Sequence, residues 1–172
     1  MHLELATPDD LPALHALIES AYRGDTARAG WSHEADLLDG QRTDLHELGA
    51  MIADPARRLL LLRDGESLRA CVALTDQGDG LAYLGLLTVE PGRQGLGLGK
   101  MMLAAAEDHA VRELGALRIE MTVIVQRDEL IAWYQRRGYA LTGERRPFPL
   151  TDARFGKPRR DDLEFVVIEK SL

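Results

Sequence analysis

The stretch from Leu81 to Leu114 limits the fold more tightly than any other part of the chain. Leu81 to Val89 is a nearly unbroken apolar run and reads as a long strand. It passes through Glu90-Pro91-Gly92-Arg93-Gln94-Gly95-Leu96-Gly97-Leu98-Gly99-Lys100 straight into a helix, Leu98 to Leu114. Leu98, Met102, Ala106, Ala110 and Leu114 fall on one side of that helix, and Gly115 closes it in the position that favours left-handed backbone. A strand that enters a helix through alternate glycines presents backbone N–H groups at the positive end of the helix dipole, with no Cβ in the way. Such a junction suits an anion. The ATP loop G-x-x-x-x-G-K-[ST] does not fit, because Gln94 takes its first glycine position and Met101 its hydroxyl position. The dinucleotide pattern G-x-G-x-x-G fails as well: Gly95 and Gly97 lead to Lys100, and Gly97 and Gly99 lead to Met102. What stands is Gln-x-x-Gly-x-Gly at Gln94, Gly97 and Gly99, directly behind a strand.

The rest of the chain supplies the context. Leu3 to Leu5 alternates as a short strand, and Thr7-Pro8-Asp9-Asp10 opens a helix carrying Leu11, Leu14, Leu17, Ile18 and Tyr22. Gly24 to Gly30 reads as loop. A second helical region is expected through Ala35, Leu37 and Leu38, broken at Gly40, and again from Leu45 to Ile52. Arg58 to Arg63 encloses four leucines, which predicts a strand buried on both faces. Asp64-Gly65 turns it into a returning strand, Leu68 to Leu74. After the central unit come a strand (Leu117 to Val125), a short helix (Asp128 to Arg137) and a strand at Tyr139 to Leu141. A long connection (Glu144 to Asp162) and a terminal strand (Leu163 to Ile168) complete the chain. Hairpins first and a strand–helix–strand unit second predict an α+β fold: a mostly antiparallel, twisted sheet of about six to seven strands flanked by about four helices. With 172 residues and no linker, residues 1–172 read as a single domain.

Composition narrows the function. A formal net charge of −7 argues against nucleic acid as a partner, which needs a basic footprint. No apolar run is long enough to span a bilayer, and the first residues lack a basic and an apolar region, so no membrane partner and a cytoplasmic location are expected. The single cysteine, Cys71, lies in an apolar run and reads as a buried, inert thiol. The histidines show no metal-ligand spacing, so no metal is expected.

Two elements together carry a resemblance. Val89-Glu90-Pro91 followed by Gln94, Gly97 and Gly99 resembles the pyrophosphate loop of the GNAT superfamily of acyl-CoA N-acyltransferases, [Arg/Gln]-x-x-Gly-x-[Gly/Ala] behind a Val-x-Pro strand end. Further on, Tyr134-Gln135-Arg136-Arg137-Gly138-Tyr139 is similar to that family's Tyr-x-[Lys/Arg]-x-Gly-[Phe/Tyr]. One position departs from the pattern: where the family often has Asn, seven residues before the tyrosine, this chain has Arg127.

The resemblance implies an N-acetyltransferase that moves the acetyl group of acetyl-CoA to a primary amine by direct attack. It implies cofactor contacts from Leu87, Thr88, Val89, Gln94, Gly95, Leu96, Gly97, Leu98, Gly99 and Lys100. It also implies a splaying of the strand Leu81 to Val89 from the strand Ile119 to Val125, with Gly85 as the expected irregularity. Tyr134 takes the general-acid position, and a phenol near pKa 10 is close enough to a thiol near 8.5 for transfer, both being about the reference values. Glu34, Glu120 and His33 are unranked candidates for the base. The acceptor pocket is expected around Trp31, His33 and Glu34, with Arg145 and Arg146 opposite. Acids for an ammonium and arginines for an anion suggest a small amino-acid-like acceptor, and acids alone a polyamine. A protein N-terminus or lysine is the variant acceptor. A non-catalytic acyl-CoA-binding module is the alternative from another class, and a homodimer is compatible with the chain.

Overall fold

The computed structural model describes residues 1–172. The chain opens with β1 (His2–Leu5), and the Asp10 carboxylate accepts from the Thr7 amide at 2.8 Å to start a 3-10 turn that continues into α1 (Leu11–Tyr22). A single turn, α2 (Gly24–Ala27), a two-residue strand, β2 (Leu38–Asp39), and α3 (Leu45–Ala53) follow. Asp44 caps α3 by accepting from the Glu47 amide at 2.7 Å. Then come β3 (Arg57–Asp64), β4 (Ser67–Asp76), β5 (Leu81–Val89), α4 (Leu98–Leu114), β6 (Arg118–Ile124) and α5 (Asp128–Gln135). The chain ends with β7 (Ala140–Pro147), β8 (Lys157–Pro158) and β9 (Glu164–Ser171). Seven strands form one sheet in the order β1-β3-β4-β5-β6-β9-β7, and only the β5–β6 neighbours are parallel. β2 and β8 make a separate antiparallel pair.

Both faces of the sheet are covered, which explains the four leucines of β3. Leu60 and Leu62 pack with Met102, Ala106 and Ile119 on the face that carries α4 and α5. Leu59 and Leu61 pack with Leu14, Ile18 and Leu48 on the face that carries α1 and α3. Cys71 belongs to this second layer; burial pushes its thiol up to about 12, so it stays protonated and unreactive.

Three expectations are corrected. Gly24 to Gly30 is not all loop, because Gly24–Ala27 coils into the single turn α2. The helix expected through Ala35, Leu37 and Leu38 does not form. Leu38 is instead drawn into a third apolar cluster with Ile124, Phe148 and Leu163, and pairs with Pro158 as a strand. The connection expected from Glu144 onward begins later, since Arg145 and Arg146 continue β7 against Val166 and Phe165. β7 is an edge strand exposed along nearly its whole length, so it carries no alternation from which to read it.

The expected irregularity in β5 is present, one step beyond Gly85. Ala73 of β4 stands opposite Gly85, but Cys71 stands opposite Thr88, so Leu86 and Leu87 together oppose Val72. Leu86 carries the extra residue with φ +51°, in the left-handed region. The bulge reverses the facing of everything after it. Ala82 and Leu84 point to the α4 layer, Leu86 turns to the α1 layer, and Leu87 and Val89 return to the α4 side.

Candidate active site

The parallel ladder between β5 and β6 is short, running from Leu81–Arg118 to Tyr83–Glu120. Beyond it the strands part. Two cavities open into the gap and share Tyr22, Leu87, Arg127, Leu130 and Tyr134.

The first cavity, about 210 Å3, lies against the start of α4. Gly95 and Gly97 have φ of +87° and +86°, and a Cβ at either would meet no atom within 4 Å. Glycine is therefore required for the backbone, and open space lies where a side chain would stand. The first bond inside α4 is from the Met101 amide to the Gly97 carbonyl at 3.0 Å, so the amides of Leu98, Gly99 and Lys100 have no acceptor within the helix. Lys100, Arg127 and Arg137 line this cavity, and no carboxylate does. Helix dipole, free amides and three cations all favour a polyanion.

Trp31 and Trp133 form an aromatic wall of the same cavity, with ring centroids 6.3 Å apart. The Arg137 guanidinium lies 3.6 Å over the Trp133 ring. The Gln94 side chain is bonded to the protein at both its ends. Its carbonyl oxygen accepts from the Trp31 and Ser32 amides at 2.9 and 3.3 Å, and its amide nitrogen donates to the Val89 carbonyl at 3.3 Å. It packs so close to Gly30 that a Cβ there would lie 2.6 Å from it. Tyr134, 5% exposed, meets Trp133 and Tyr139 edge-on at 5.0 and 5.6 Å. Burial holds its phenol above the usual range, so it remains a protonated donor.

The second cavity, about 230 Å3, is bounded by β5 from Tyr83 to Leu87, by β6 from Met121 to Ile124, and by Leu38, Phe148, Phe155 and Phe165. Its charged lining is Arg23, Arg42, Arg127 and Glu34. Glu34 is buried and bonded on both sides, to Arg23 Nη1 at 2.6 Å and to Arg127 Nη1 at 3.0 Å. Burial alone would raise its carboxyl, but Arg127, Arg42 and Arg23 outweigh burial and hold it below the usual range. Arg127 also donates to the Ser32 carbonyl. Tyr22 stands where the cavities meet, its hydroxyl donating to the Leu87 carbonyl at 3.0 Å.

A family model described as the acetyltransferase (GNAT) family matches residues 12–139. The chain belongs to the GNAT acetyltransferase family. It is an acetyl-CoA-dependent N-acetyltransferase. Solved structures share the fold across the whole chain. A ribosomal-protein-alanine N-acetyltransferase from Brucella melitensis has a TM-score of 0.73 at 17% identity, covering 100% of both chains. A spermidine N-acetyltransferase mutant from Vibrio cholerae gives 0.69 at 17%, covering 99% of this chain and 95% of the other. An acetyltransferase from Salmonella typhimurium, solved with acetyl-CoA, gives 0.69 at 16%, covering 100% and 94%. No curated protein sequence matches. Acetyl-CoA fits the first cavity of this GNAT chain: the open space beside Gly95 and Gly97, the free amides of α4 and the cations of Lys100 and Arg137 answer its phosphates.

Of the residues the sequence singles out for the cofactor, Leu87, Val89, Gln94, Gly95, Gly97, Gly99 and Lys100 line the first cavity. Thr88 does not. The bulge turns it inward, where its hydroxyl donates to the Leu86 carbonyl at 2.9 Å. Leu96 points to solvent and the Leu98 side chain is in the core. Trp31 lines the first cavity, but His33 lies in a separate outer depression, its Nδ1 accepting from the Ala35 amide at 3.2 Å. Glu120 is buried outside both cavities and held by Arg146 at 3.1 and 3.4 Å. Arg146 also bonds Glu144, and Arg145 bonds Glu164 at 2.8 Å. Both arginines lie along β7 and line neither cavity. Asp36 and Asp39 pair with Arg28 and Arg159. Sequence reasoning missed Tyr22, Arg23 and Arg42, for which it offers no signal: Tyr22 sits at a core position of a helix, and the arginines lie in polar stretches.

Proposed function

We propose that the protein transfers the acetyl group of acetyl-CoA to a small primary amine that also carries an anionic group, with the amine in the second cavity. The observation that carries this reading is the meeting of two unlike cavities at Leu87 and Tyr134. One is built for a polyanion; the other, of similar volume, is lined by three guanidiniums against one carboxylate. That balance disfavours a polyamine, whose cations would lie among like charges.

The acceptor nitrogen attacks the thioester carbonyl to form the carbon–nitrogen bond, and the carbon–sulfur bond breaks. The thiolate takes a proton from a protein donor, and the proton that the nitrogen sheds passes through solvent to restore that donor. Tyr134 is the donor in this reading. Its phenol is held protonated by burial, and the same water-poor surroundings raise the thiolate's affinity for a proton. Amides at the bulge, near Leu87 and Val89, lie on the edge of β5 without a ladder partner on β6 and suit the acyl oxygen. Glu34 orients Arg23 and Arg127 rather than taking a proton, because its carboxylate is doubly paired and its pKa depressed. Glu120 and His33 lie outside the gap, so the acceptor enters as its free amine.

Tyr134→Phe tests the reading. CoA release with a panel of small amines should fall about 100-fold or more in kcat, with acetyl-CoA affinity by calorimetry within about threefold of wild type. Unchanged turnover in the folded variant excludes Tyr134 as the donor. Acetyl-CoA binding without turnover of any amine would favour a binding module.

A further inference from the structure

We infer that Arg42 anchors the carboxylate of the acceptor and that the phenylalanine wall beside it receives an apolar side chain. The acceptor is thus an α-amino acid, or a close analogue, with an uncharged apolar side chain. This rests on the acetyltransferase reading above and names the substrate class of the same site.

Three guanidiniums line the second cavity, and two of them are paired with Glu34, with only the buried Arg23 Nε left without a partner. Arg23 is bonded to Glu34 at 2.6 Å and to the Phe155 carbonyl at 3.4 Å. Arg127 is bonded to Glu34 at 3.0 Å and to the Ser32 carbonyl. Arg42 has no carboxylate or carbonyl partner for its side chain. It is nonetheless well placed. The Glu19 carboxylate accepts from the Arg42 and Thr43 amides at 2.7 and 2.8 Å, which fixes the backbone, and the guanidinium lies 5.2 Å over the Tyr22 ring. A guanidinium stacked on a ring keeps its N–H edge free, and that edge matches a carboxylate with two parallel bonds.

Tyr22 also sets the separation of the two ends. Its ring lies under Arg42 and its hydroxyl reaches the Leu87 carbonyl, in the gap shared with the first cavity. The anion and the attacking amine are therefore apart by no more than about one tyrosine side chain once contact distances are included, a short span that suits an amine and a carboxylate borne by the same carbon. The remaining wall is apolar. Phe148 and Phe165 pack at 5.2 Å, flanked by Leu38, Phe155 and Ile124. Glu34 is the lining carboxylate and is already paired, so a cationic side chain finds no partner there; a second acid finds no second free cation. The volume of about 230 Å3 exceeds the roughly 150 Å3 that takes a benzene ring, so an amino acid with an apolar side chain fits.

The experiment compares L-leucine, L-phenylalanine, L-leucinamide, L-aspartate and spermidine in a CoA-release assay with wild type, Arg42→Gln and Arg42→Lys. Wild type should prefer leucine or phenylalanine to the other three by at least about tenfold in kcat/KM. In Arg42→Gln the acid-to-amide ratio should collapse toward unity, through a KM for leucine raised about 10- to 100-fold, the range of a charge-assisted hydrogen bond. Arg42→Lys, which keeps the charge but not the fork, should fall between. Thermal unfolding of each variant checks the fold, and the wild-type ratios decide alone if Arg42→Gln does not fold. Leucinamide, aspartate or spermidine acetylated as well as leucine overturns the inference and leaves the transferase reading standing, as does a ratio that survives Arg42→Gln. Acetyl-CoA bound by calorimetry with none of the five amines acetylated overturns both the inference and the small anionic acceptor proposed above.

Discussion

Glu34 pairs with two of the three guanidiniums of the second cavity. It is buried, accepts from Arg23 on one oxygen and from Arg127 on the other, and so joins α1 to the start of α5 beneath the second cavity. Removing one member of a buried network leaves the others uncompensated. Glu34→Gln should therefore cost about 3–5 kcal/mol in urea unfolding at neutral pH. The pH dependence has a definite sign. The folded pKa of Glu34 lies below its unfolded value of about 4.3. Its contribution is thus present above that value and is lost as pH falls through the lower folded pKa. Wild type should lose stability on acidification from about pH 5 downward, and Glu34→Gln should lose less over the same window. An acid limb of unchanged steepness in the variant would mean that other carboxylates carry it.

At the scale of elements, the glycine junction is a joint between three segments. Gln94 lies between the end of β5 and the first turn of α4. Its side chain ties both to residues 31 and 32, three hydrogen bonds in all. The resemblance assigns it to the cofactor; the geometry makes it the residue that holds one wall of the cofactor cavity. Gln94→Ala should weaken acetyl-CoA binding by about tenfold, within the worth of one to three neutral hydrogen bonds. The chain's two tryptophans, Trp31 and Trp133, both line this cavity, so all of its tryptophan fluorescence reports on the site. The emission and near-ultraviolet dichroism of Gln94→Ala should differ from wild type before ligand is added, with far-ultraviolet dichroism unchanged. An unaltered tryptophan signal would show that the wall stands without Gln94. The elements with strong periodicity, α1, α4 and β3 to β5, were legible in the sequence. β7 was cut short and Leu38 misread as helical, because an exposed edge strand and a loop residue buried by distant partners carry no local pattern.

The whole molecule is a seven-stranded sheet with an apolar layer on each side, and β3 contributes alternate leucines to both. Leu61 and Leu62 are neighbours in sequence, almost fully buried, and serve opposite layers. Leu61→Ala and Leu62→Ala should each destabilise by about 2–5 kcal/mol. Because one sheet joins the layers, unfolding followed by tryptophan emission and by far-ultraviolet dichroism should coincide in both variants. Separated transitions would show that the α1 side melts independently of the α4 side.

No helix is long and apolar enough to cross a membrane. The sequence by itself determined the order of the seven strands of the main sheet and of α1, α3, α4 and α5, the doubly buried strand and the glycine junction. Each of these is written in local spacing or in residue types that few backbone conformations accept. Only the tertiary structure decided which charges are free. Glu34 meets Arg127 across 93 residues, and Asp39 meets Arg159 across 120. A guanidinium looks the same in a sequence whether it is spent on a carboxylate or open to a ligand. Arg145 and Arg146 proved to be spent along β7, while Arg42 stands unpaired in the cavity, because ion pairing depends on distances that folding alone sets.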